Sequence, residues 1–548
     1  MNWRKVLCRI GRMGVGLVLA AGALVPQRSV RAQDLGSEEM LDRPVWLRAW
    51  SPLHWTAGLP RSLPDGMSAV PEPLPWPQAR TGLFWTAGNP GALSMEMADG
   101  FATYSAGFGN ADGSYRRPLD PETVRGPSAE ATAWRPFGSQ GAAIGRVRVA
   151  SVDMDRALSD YDLPYGGSPY VVMDTAGSDL GRTVVELEGA AAWKAGPLGF
   201  GLALGYRAHH TRTREAPVPR ALSGADPAAS LGLVWELSPA FRIGAHGRWR
   251  RHAERVTIYT VAASTRIYRL QGFFEPPPQD LTTGYYQTRL EREGHAGGVS
   301  AGGTIRELNW AVFAEMGSLE ERQHPPGFND PDSDTWDTDG LTLGAALVRP
   351  FSAQNAMLSL TARYTDLSGT AGRGDLPDTT TFVSDESVFH SEGEFSIDAS
   401  EVVRLVGRLV LRYEDRTRED YLAHVRSPVQ SWTTGVGMAA VVRASERLAF
   451  SAGVGNIWYG AGGGIPDPAE MGRAYGLFVA PEMALNATDA KSLAAAFSAS
   501  WRVREAVHLW AALRNSKLSA TDQVVILASR PQGDRYAYRM SIGFRVGS

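Results

Sequence analysis

Apolar and polar side chains alternate strictly along much of this chain. In the segment 198–211, large apolar side chains occupy alternate positions, with glycine, alanine, arginine and histidine between them. The segment 535–546 has the same pattern, with arginine, alanine, serine and glycine between its large apolar residues. Because successive side chains of a β-strand point to opposite faces, both segments predict strands with one apolar and one polar face.

The alternation continues through about eighteen segments, although short apolar runs leave some assignments open. The predicted strands are 101–109, 128–135, 142–153, 182–194, 198–213, 228–237, 240–256, 293–305, 308–320, 340–349, 355–368, 387–398, 402–416, 431–443, 447–459, 492–502, 506–517 and 535–546. No segment predicts an amphipathic helix that would cover their apolar faces. A closed barrel solves this problem because its apolar face meets lipid and its polar face lines a lumen. The sequence therefore predicts an all-β, transmembrane, up-and-down antiparallel β-barrel of about 16–18 strands, with about 14 as a further possibility.

Short and long connections alternate between the predicted strands. Short ones include Ser238-Pro239 and Ala444-Ser445-Glu446, and the long ones are 154–181, 214–227, 257–292, 321–339, 369–386, 417–430, 460–491 and 518–534. Short periplasmic turns and long extracellular loops are typical of outer-membrane barrels. We therefore expect every long connection on the outer side of the membrane.

Residues 1–32 have the features of a cleavable export signal. Cationic residues precede the apolar run 13–25, and Val30-Arg31-Ala32 supplies small residues at the expected cleavage site. The apolar run is too short to cross a membrane well as a helix. The only cysteine, Cys8, lies in this signal, so we expect the exported chain to lack disulfides and thiolate ligands.

Residues 33–100 are rich in proline and tryptophan and differ from the predicted barrel, 101–548. Proline at this density does not suit a β-ladder, so we expect a periplasmic or intraluminal leader. Its part 83–93 is apolar and rich in glycine, and we interpret it as a hatch inside the barrel. The candidate hatch residues are Trp85, Asn89 and Pro90, with Asn89-Pro90 as a fixed bend.

Composition and charge indicate the surroundings of the protein. The chain has 16 tryptophans and 17 tyrosines, which suit the interfacial girdles of a membrane barrel, and 60 glycines. Its net charge of −3 argues against a nucleic-acid partner. We expect it to contact outer-membrane lipid and lipopolysaccharide, and to meet periplasmic chaperones and the barrel-assembly machinery during export.

Arginines recur on the polar face of the predicted strands. Arginine is unfavourable in lipid, so we assign these side chains to the lumen. The candidate lumen-lining residues are Arg207, Arg242, Arg248, Arg404, Arg408 and Arg539. One interpretation is a cationic pore that attracts anions such as carboxylates. The other, favoured by the balanced charge of the chain, is a lattice that pairs them with carboxylates of neighbouring strands, among them Glu186, Glu188, Glu315, Glu394 and Asp398.

Two further patterns concern metal binding and catalysis. Carboxylates at alternate positions of 330–340 resemble calcium ligands, but Thr335 and Leu341 stand where an EF-hand loop has glycine and glutamate. A solvated loop is the favoured interpretation. Wall histidines belong to no nucleophile motif; they are His209, His210, His246, His252 and His508. We therefore expect no enzyme activity, no cofactor and no bound metal.

From about Leu83 onward, the chain resembles a family of bacterial outer-membrane β-barrel proteins that has no assigned activity. The resemblance is densest at Pro164-Tyr165, Pro169-Tyr170 with Asp174, 185–189 and 205–208. It implies a barrel and assigns no functional residues. In addition, Asn89-Pro90-Gly91-Ala92-Leu93 is similar to the Asn-Pro-Ala signature of FadL-type long-chain fatty-acid transporters, which carry a hatch before the barrel.

These observations favour a passive channel or transporter for small or hydrophobic molecules. The alternative is a non-transporting barrel with a structural or surface-interaction role. A lumen blocked by the leader and by paired arginines would favour the alternative, whereas an apolar pocket beside the hatch would favour transport.

Overall fold

The computed structural model describes the barrel and a short segment that precedes it. The described residues are 89–95, 100–116, 121–138, 140–159, 169–215, 220–238, 240–259, 265–272, 279–281, 285–324, 333–351, 355–463, 479–521 and 533–547. All of them belong to the second of two units, 39–548, into which the chain divides. The expected export signal and Trp85 lie outside the described residues.

Long antiparallel strands make up most of the described chain. They are β1 Phe101–Gly113, β2 Thr123–Pro136, β3 Gly141–Ser159, β4 Tyr170–Ala195, β5 Leu198–Glu215, β6 Arg220–Ser238, β7 Phe241–Tyr259, β8 Thr265–Gln271, β9 Gln279–Leu281, β10 Tyr285–Ile305, β11 Leu308–His324, β12 Asp334–Phe351, β13 Ala356–Arg373, β14 Leu376–Asp398, β15 Val403–Asp420, β16 Val425–Arg443, β17 Leu448–Gly463, β18 Ala490–Arg504, β19 Val507–Ala520 and β20 Asp534–Gly547.

Eighteen of these strands form the wall of a closed barrel. Each wall strand pairs with its neighbours in chain order, and β7 pairs with β10 because β8 and β9 are not part of the wall. The first strand pairs with the last from Phe101↔Gly547 to Gly113↔Arg535, which closes the sheet. The upper end of the predicted strand range is confirmed, and the alternative of 14 strands is wrong.

The outward face of the wall is apolar. On β5, Leu202 and Leu204 are 40% and 54% exposed, whereas Ala203 between them is 1% exposed. On β20, Ile542 is 65% exposed and Ala537, on the other face, is 4% exposed. An outward apolar band is what a barrel wall in lipid requires, so the predicted facing of 198–211 and 535–546 is confirmed.

The strands continue further than predicted at the end of the barrel opposite the short turns, here called the outer end. The predicted long loops 214–227, 369–386 and 417–430 are wrong. β5 ends at Glu215 and β6 begins at Arg220, β13 joins β14 through 374–375, and β15 joins β16 through 421–424. Beyond the membrane both faces of a strand meet water, so the ladder continues without the alternation that marks its lipid-embedded part.

Two of the predicted long connections contain secondary structure. Within 257–292, β8 pairs with the outer end of β4, from Tyr170↔Gln271 to Asp174↔Ile267, and also pairs with β9. Within 460–491, the helix α1 spans Ala480–Asn486 and has a proline in its first turn. No helix among the described residues is long and apolar enough to cross a membrane.

Candidate functional site in the barrel lumen

A short 3-10 helix, Pro90–Met95, packs against the inner face of the wall. A methyl group on Gly201 would overlap the backbone of Pro90, and one on Gly232 would overlap the side chain of Asn89. These glycines face the lumen because their neighbours Leu202 and Leu231 are exposed on the outward face. The surface that receives the helix, here called the glycine cradle, consists of Gly199, Gly201, Gly232 and Gly244 on three adjacent strands.

Asn89 fastens the segment to the wall. Its Nδ2 donates hydrogen bonds to the carbonyl oxygens of Leu233 (3.0 Å) and Ala245 (3.1 Å), and its Oδ1 accepts one from the amide of Gly91 (2.9 Å). Asn89 is fully buried, and so is Leu93. The structure therefore places two candidate hatch residues, Asn89 and Pro90, in specific contact with β5, β6 and β7.

Most of the candidate lumen arginines are paired with carboxylates. The pairs are Arg207–Glu186 at 3.7 Å, Arg242–Glu236 at 3.3 Å, Arg404–Asp398 at 2.6 Å, Arg408–Glu392 at 2.6 Å, and Arg248–Glu315. Arg539 stands in register with Arg514 of β19. The arrangement that the sequence favoured, a lattice of ion pairs across strands, therefore describes much of the inner wall.

Some of these charged side chains lie directly opposite one another on three adjacent strands. Arg148 of β3, Glu186 of β4 and Arg207 of β5 form one such row, and Glu186 Oε2 lies 3.1 Å from Arg148. Directly opposite residues on one face of an antiparallel sheet lie close enough for their side chains to interact. The row shares one buried carboxylate between two guanidinium groups.

Histidines form a second kind of row in which a glycine stands in the middle. His209 of β5, Gly224 of β6 and Glu254 of β7 are in register, and His209 Nε2 lies 3.3 Å from Glu254 Oε1. A methyl group on Gly224 would overlap the imidazole ring, so the missing side chain lets the histidine reach the second strand away.

The same arrangement recurs further around the wall. His246 of β7, Gly298 of β10 and Glu315 of β11 are in register, and His246 Nε2 lies 2.7 Å from Glu315 Oε2. A methyl group on Gly298 would crowd the ring of His246 at 2.5 Å. Both histidine side chains are almost completely buried. These histidines hold carboxylates in the wall.

Sequence reasoning named these histidines but missed their partners. The pairing requires the strand register, which residue spacing along one strand does not reveal. The signal that was present is an inward glycine on the strand between the two partners. The Nδ1 atom of His246 has no hydrogen-bond partner, and neither has the hydroxyl of Ser300 on the adjacent strand, so the described residues form no serine–histidine pair here.

An apolar cluster lies at the outer end of the barrel. The hydroxyl oxygen of Tyr170 of β4 lies 2.8 Å from the carbonyl oxygen of Thr335 and 2.7 Å from that of Gly372, although β4 is not a neighbour of β12 or β13 in the sheet. Its single proton is donated to these two acceptors in turn or shared between them. The cluster, here called the outer cluster, joins wall strands to α1 and comprises Tyr170, Trp336, Ala371, Phe382, Val425, Ala480, Met483 and Ala484. It links opposite parts of the wall across the outer end.

The expected acidic loop is only partly visible. Asp334, Asp337 and Asp339 belong to β12, whereas 330 and 332 lie outside the described residues. Among the residues that the structure describes, no three potential ligands are grouped so that they could hold a metal ion. Calcium binding at 330–340 stays a hypothesis.

Comparison with known proteins identifies the family of the chain. Residues 90–546, which run from the 3-10 helix through β20, match the family described as "Family of unknown function (DUF6850)". The chain belongs to this family. The expected membership in a barrel family without an assigned activity is therefore confirmed. No curated protein matches the sequence of this DUF6850 member.

Several solved structures resemble this DUF6850 barrel. The ferric-catecholate import receptor Fiu from E. coli K12 is 9% identical with a TM-score of 0.37, and 82% of each chain is covered. The alcaligin receptor FauA from Bordetella pertussis is 11% identical with a TM-score of 0.38, covering 81% of this chain and 76% of that one. A FadL homologue from Pseudomonas aeruginosa is 11% identical with a TM-score of 0.31, covering 84% and 92%. Similarity at this level does not indicate a shared function.

Proposed function

We propose that this protein is an outer-membrane barrel through which small or hydrophobic solutes pass passively, and that the segment 83–93 limits their passage as a hatch. The signal at 1–32 would direct export, and periplasmic chaperones and the barrel-assembly machinery would insert the chain. Outer-membrane lipid and lipopolysaccharide would surround its apolar band.

The observation that carries this proposal is the docked segment in a wide lumen. Barrels of about 16–18 strands leave an aqueous channel that wall side chains alone do not fill. In this barrel, Asn89 and the 3-10 helix occupy part of the inner face through specific hydrogen bonds and the glycine cradle. A segment held in this way is suited to narrow the channel.

Conductance in liposomes tests the hatch. Gly201→Val places a branched side chain where the backbone of Pro90 lies, so the segment must leave the cradle. We expect solute uptake and ion conductance to rise several-fold. The matched control is Gly247→Val on the outward face, where the nearest atom to an added methyl group is the carbonyl oxygen of Ala296 at 3.9 Å.

Deletion of 83–93 provides a second variant for the same assay. Like Gly201→Val, it should raise conductance while the barrel still inserts, which heat-modifiable migration on a gel would verify. If both folded variants conduct like the unaltered protein, the hatch is refuted.

The outer cluster favours the second candidate function, a structural or surface-interaction barrel that does not transport. Contacts between Tyr170 of β4 and the backbone of β12 and β13 hold opposite wall strands together at the outer end. Liposomes distinguish the two functions. A folded barrel that passes neither ions nor small solutes, with and without 83–93, would establish the non-transporting role.

A further inference from the structure

Arg363 of β13 points into the lumen. The outward face of this region is marked by Val312 of β11, which is 44% exposed. Val312 is in register with Ala345, and Ala345 is in register with Ala362. Because paired residues point to the same face and consecutive residues to opposite faces, Ala362 faces outward and Arg363 faces inward.

The immediate surroundings leave space around this arginine. Its partner in register on β12 is Gly344, which has no side chain. The ring of Phe313 on β11 occupies the place that a side chain on Gly344 would take. The side chain beside Arg363 on this side is therefore an aromatic ring rather than a carboxylate.

Arg363 differs from the paired arginines of the wall. Although it is exposed, it makes no hydrogen bond or ion pair within the described part of the chain. On its other side, His390 of β14 is in register with Arg363, but this histidine contacts Glu392, which in turn binds Arg408. The nearby carboxylate is thus already engaged by two other groups.

A second arginine lies close enough to Arg363 for the two charges to interact. Arg248 of β7 interacts electrostatically with Arg363, although β7 and β13 are not neighbours in the sheet. Arg248 is paired with Glu315, whose other partner is His246. One guanidinium therefore remains uncompensated in this group, and a guanidinium offers the planar fork of donors that suits carboxylates and other oxyanions.

We propose that Arg363, with Arg248 facing it and Phe313 beside it, forms an anion-binding subsite in the lumen that takes carboxylates or similar oxyanions. The inference rests on the proposed transport function and names a class of solute for it. An anion drawn to this point would neutralise the unpaired charge of Arg363.

The electrostatic part of the proposal is measurable without transport. Thr361, also inward on β13, is replaced by cysteine in a Cys8→Ala background, which removes the other cysteine of the chain. The folded protein in micelles is then treated with an anionic and a cationic methanethiosulfonate reagent. Arg363→Gln should lower the ratio of anionic to cationic reaction rates roughly fivefold, as expected for losing a unit charge several ångströms away in water.

The conservative variant Arg363→Lys separates charge from structure. It should restore most of the ratio, because the positive charge stays in the lumen. The proposed subsite would be refuted if Arg363→Gln left the ratio of anionic to cationic reaction rates unchanged, or if Arg363→Lys failed to restore it.

Selectivity in planar bilayers links the subsite to passage. With a gradient of sodium acetate, the reversal potential should shift towards cation preference in Arg363→Gln and remain near that of the unaltered protein in Arg363→Lys. An unshifted potential in a conducting barrel counts against the subsite. Absence of conductance in every variant refutes the transport function alone, and the thiol rates still decide whether the subsite exists.

Discussion

Inward glycines determine which charged side chains meet inside this barrel. In the rows His209–Gly224–Glu254 and His246–Gly298–Glu315, the glycine on the middle strand makes room for an imidazole ring that would otherwise stop at the adjacent strand. The carboxylates are almost completely buried, and a buried carboxylate is expensive without a partner. The glycine therefore stabilises an interaction in which it takes no part.

Gly224→Ala tests this relation at the scale of single residues. The added methyl group overlaps the ring of His209, so the ring must move away from Glu254. We expect the free energy of unfolding in lipid vesicles to fall by about 1–3 kcal/mol, the usual range for overpacking. Denaturant titration followed by tryptophan fluorescence measures it. Gly247→Ala, which faces outward, serves as the control, and equal stability of both variants would contradict the row.

The residue scale also shows what the sequence could predict. Alternation assigned Arg242, Arg248 and Arg404 to the polar face of their strands, a prediction that needs only their positions along one strand. Their partners depend on register, which long-range pairing sets. The sequence does not show that Arg363 lacks a carboxylate partner in the described part of the barrel. Arg363 and Arg404 differ in the residues on neighbouring strands: Arg363 is in register with Gly344, whereas Arg404 is paired with Asp398.

At the scale of elements, the lipid-embedded parts of the strands were predictable and the outer parts were not. The strand predicted at 387–398 is the inner half of β14, Leu376–Asp398, and the remainder was assigned to a loop. Apolar alternation reflects contact with lipid, so it ends where lipid ends, although backbone pairing continues. The helix α1 was not predicted for a different reason. It is short, and its apolar residues pack into the outer cluster rather than against lipid.

Tyr170→Phe probes how firmly the outer cluster is held. The substitution keeps the ring and removes the hydrogen bonds to Thr335 and Gly372. One hydroxyl proton supplies about one hydrogen bond, worth about 0.5–1.5 kcal/mol, so amide hydrogen exchange in Ala480–Asn486 should accelerate roughly 2- to 13-fold. Tyr206→Phe, on the outward face, should leave exchange unchanged. If α1 exchanges at the same rate in both variants, the hydroxyl does not hold the cluster.

For the whole molecule, we expect the connections to define a direction across the membrane. The corrected strand ends place the turn 374–375 at the outer end and the turn 444–447 at the opposite end. The shortness of 374–375 shows that loop length alone is a poor guide to sidedness. Chain order shows which turns share an end, because successive turns in an up-and-down barrel alternate between the two ends.

Thiol labelling on intact cells tests this direction. Asp375→Cys and Glu446→Cys are made separately in a Cys8→Ala background, and both positions are exposed. A membrane-impermeant maleimide should label Asp375→Cys on intact cells, and should label Glu446→Cys only after the outer membrane is permeabilised. The reverse labelling pattern would show that the barrel has the opposite orientation in the membrane.

The seam between β1 and β20 has a consequence for biosynthesis. Every wall strand finds two neighbours only when Asp534–Gly547 takes its place between β19 and β1. A prematurely terminated polypeptide that lacks these 14 residues would present two unpaired strand edges, and such edges recruit other chains. The closing strand is also the last wall strand in chain order. Ring closure therefore depends on β20: without it, the edges of β1 and β19 stay open, and with it none of the described wall strands has a free edge.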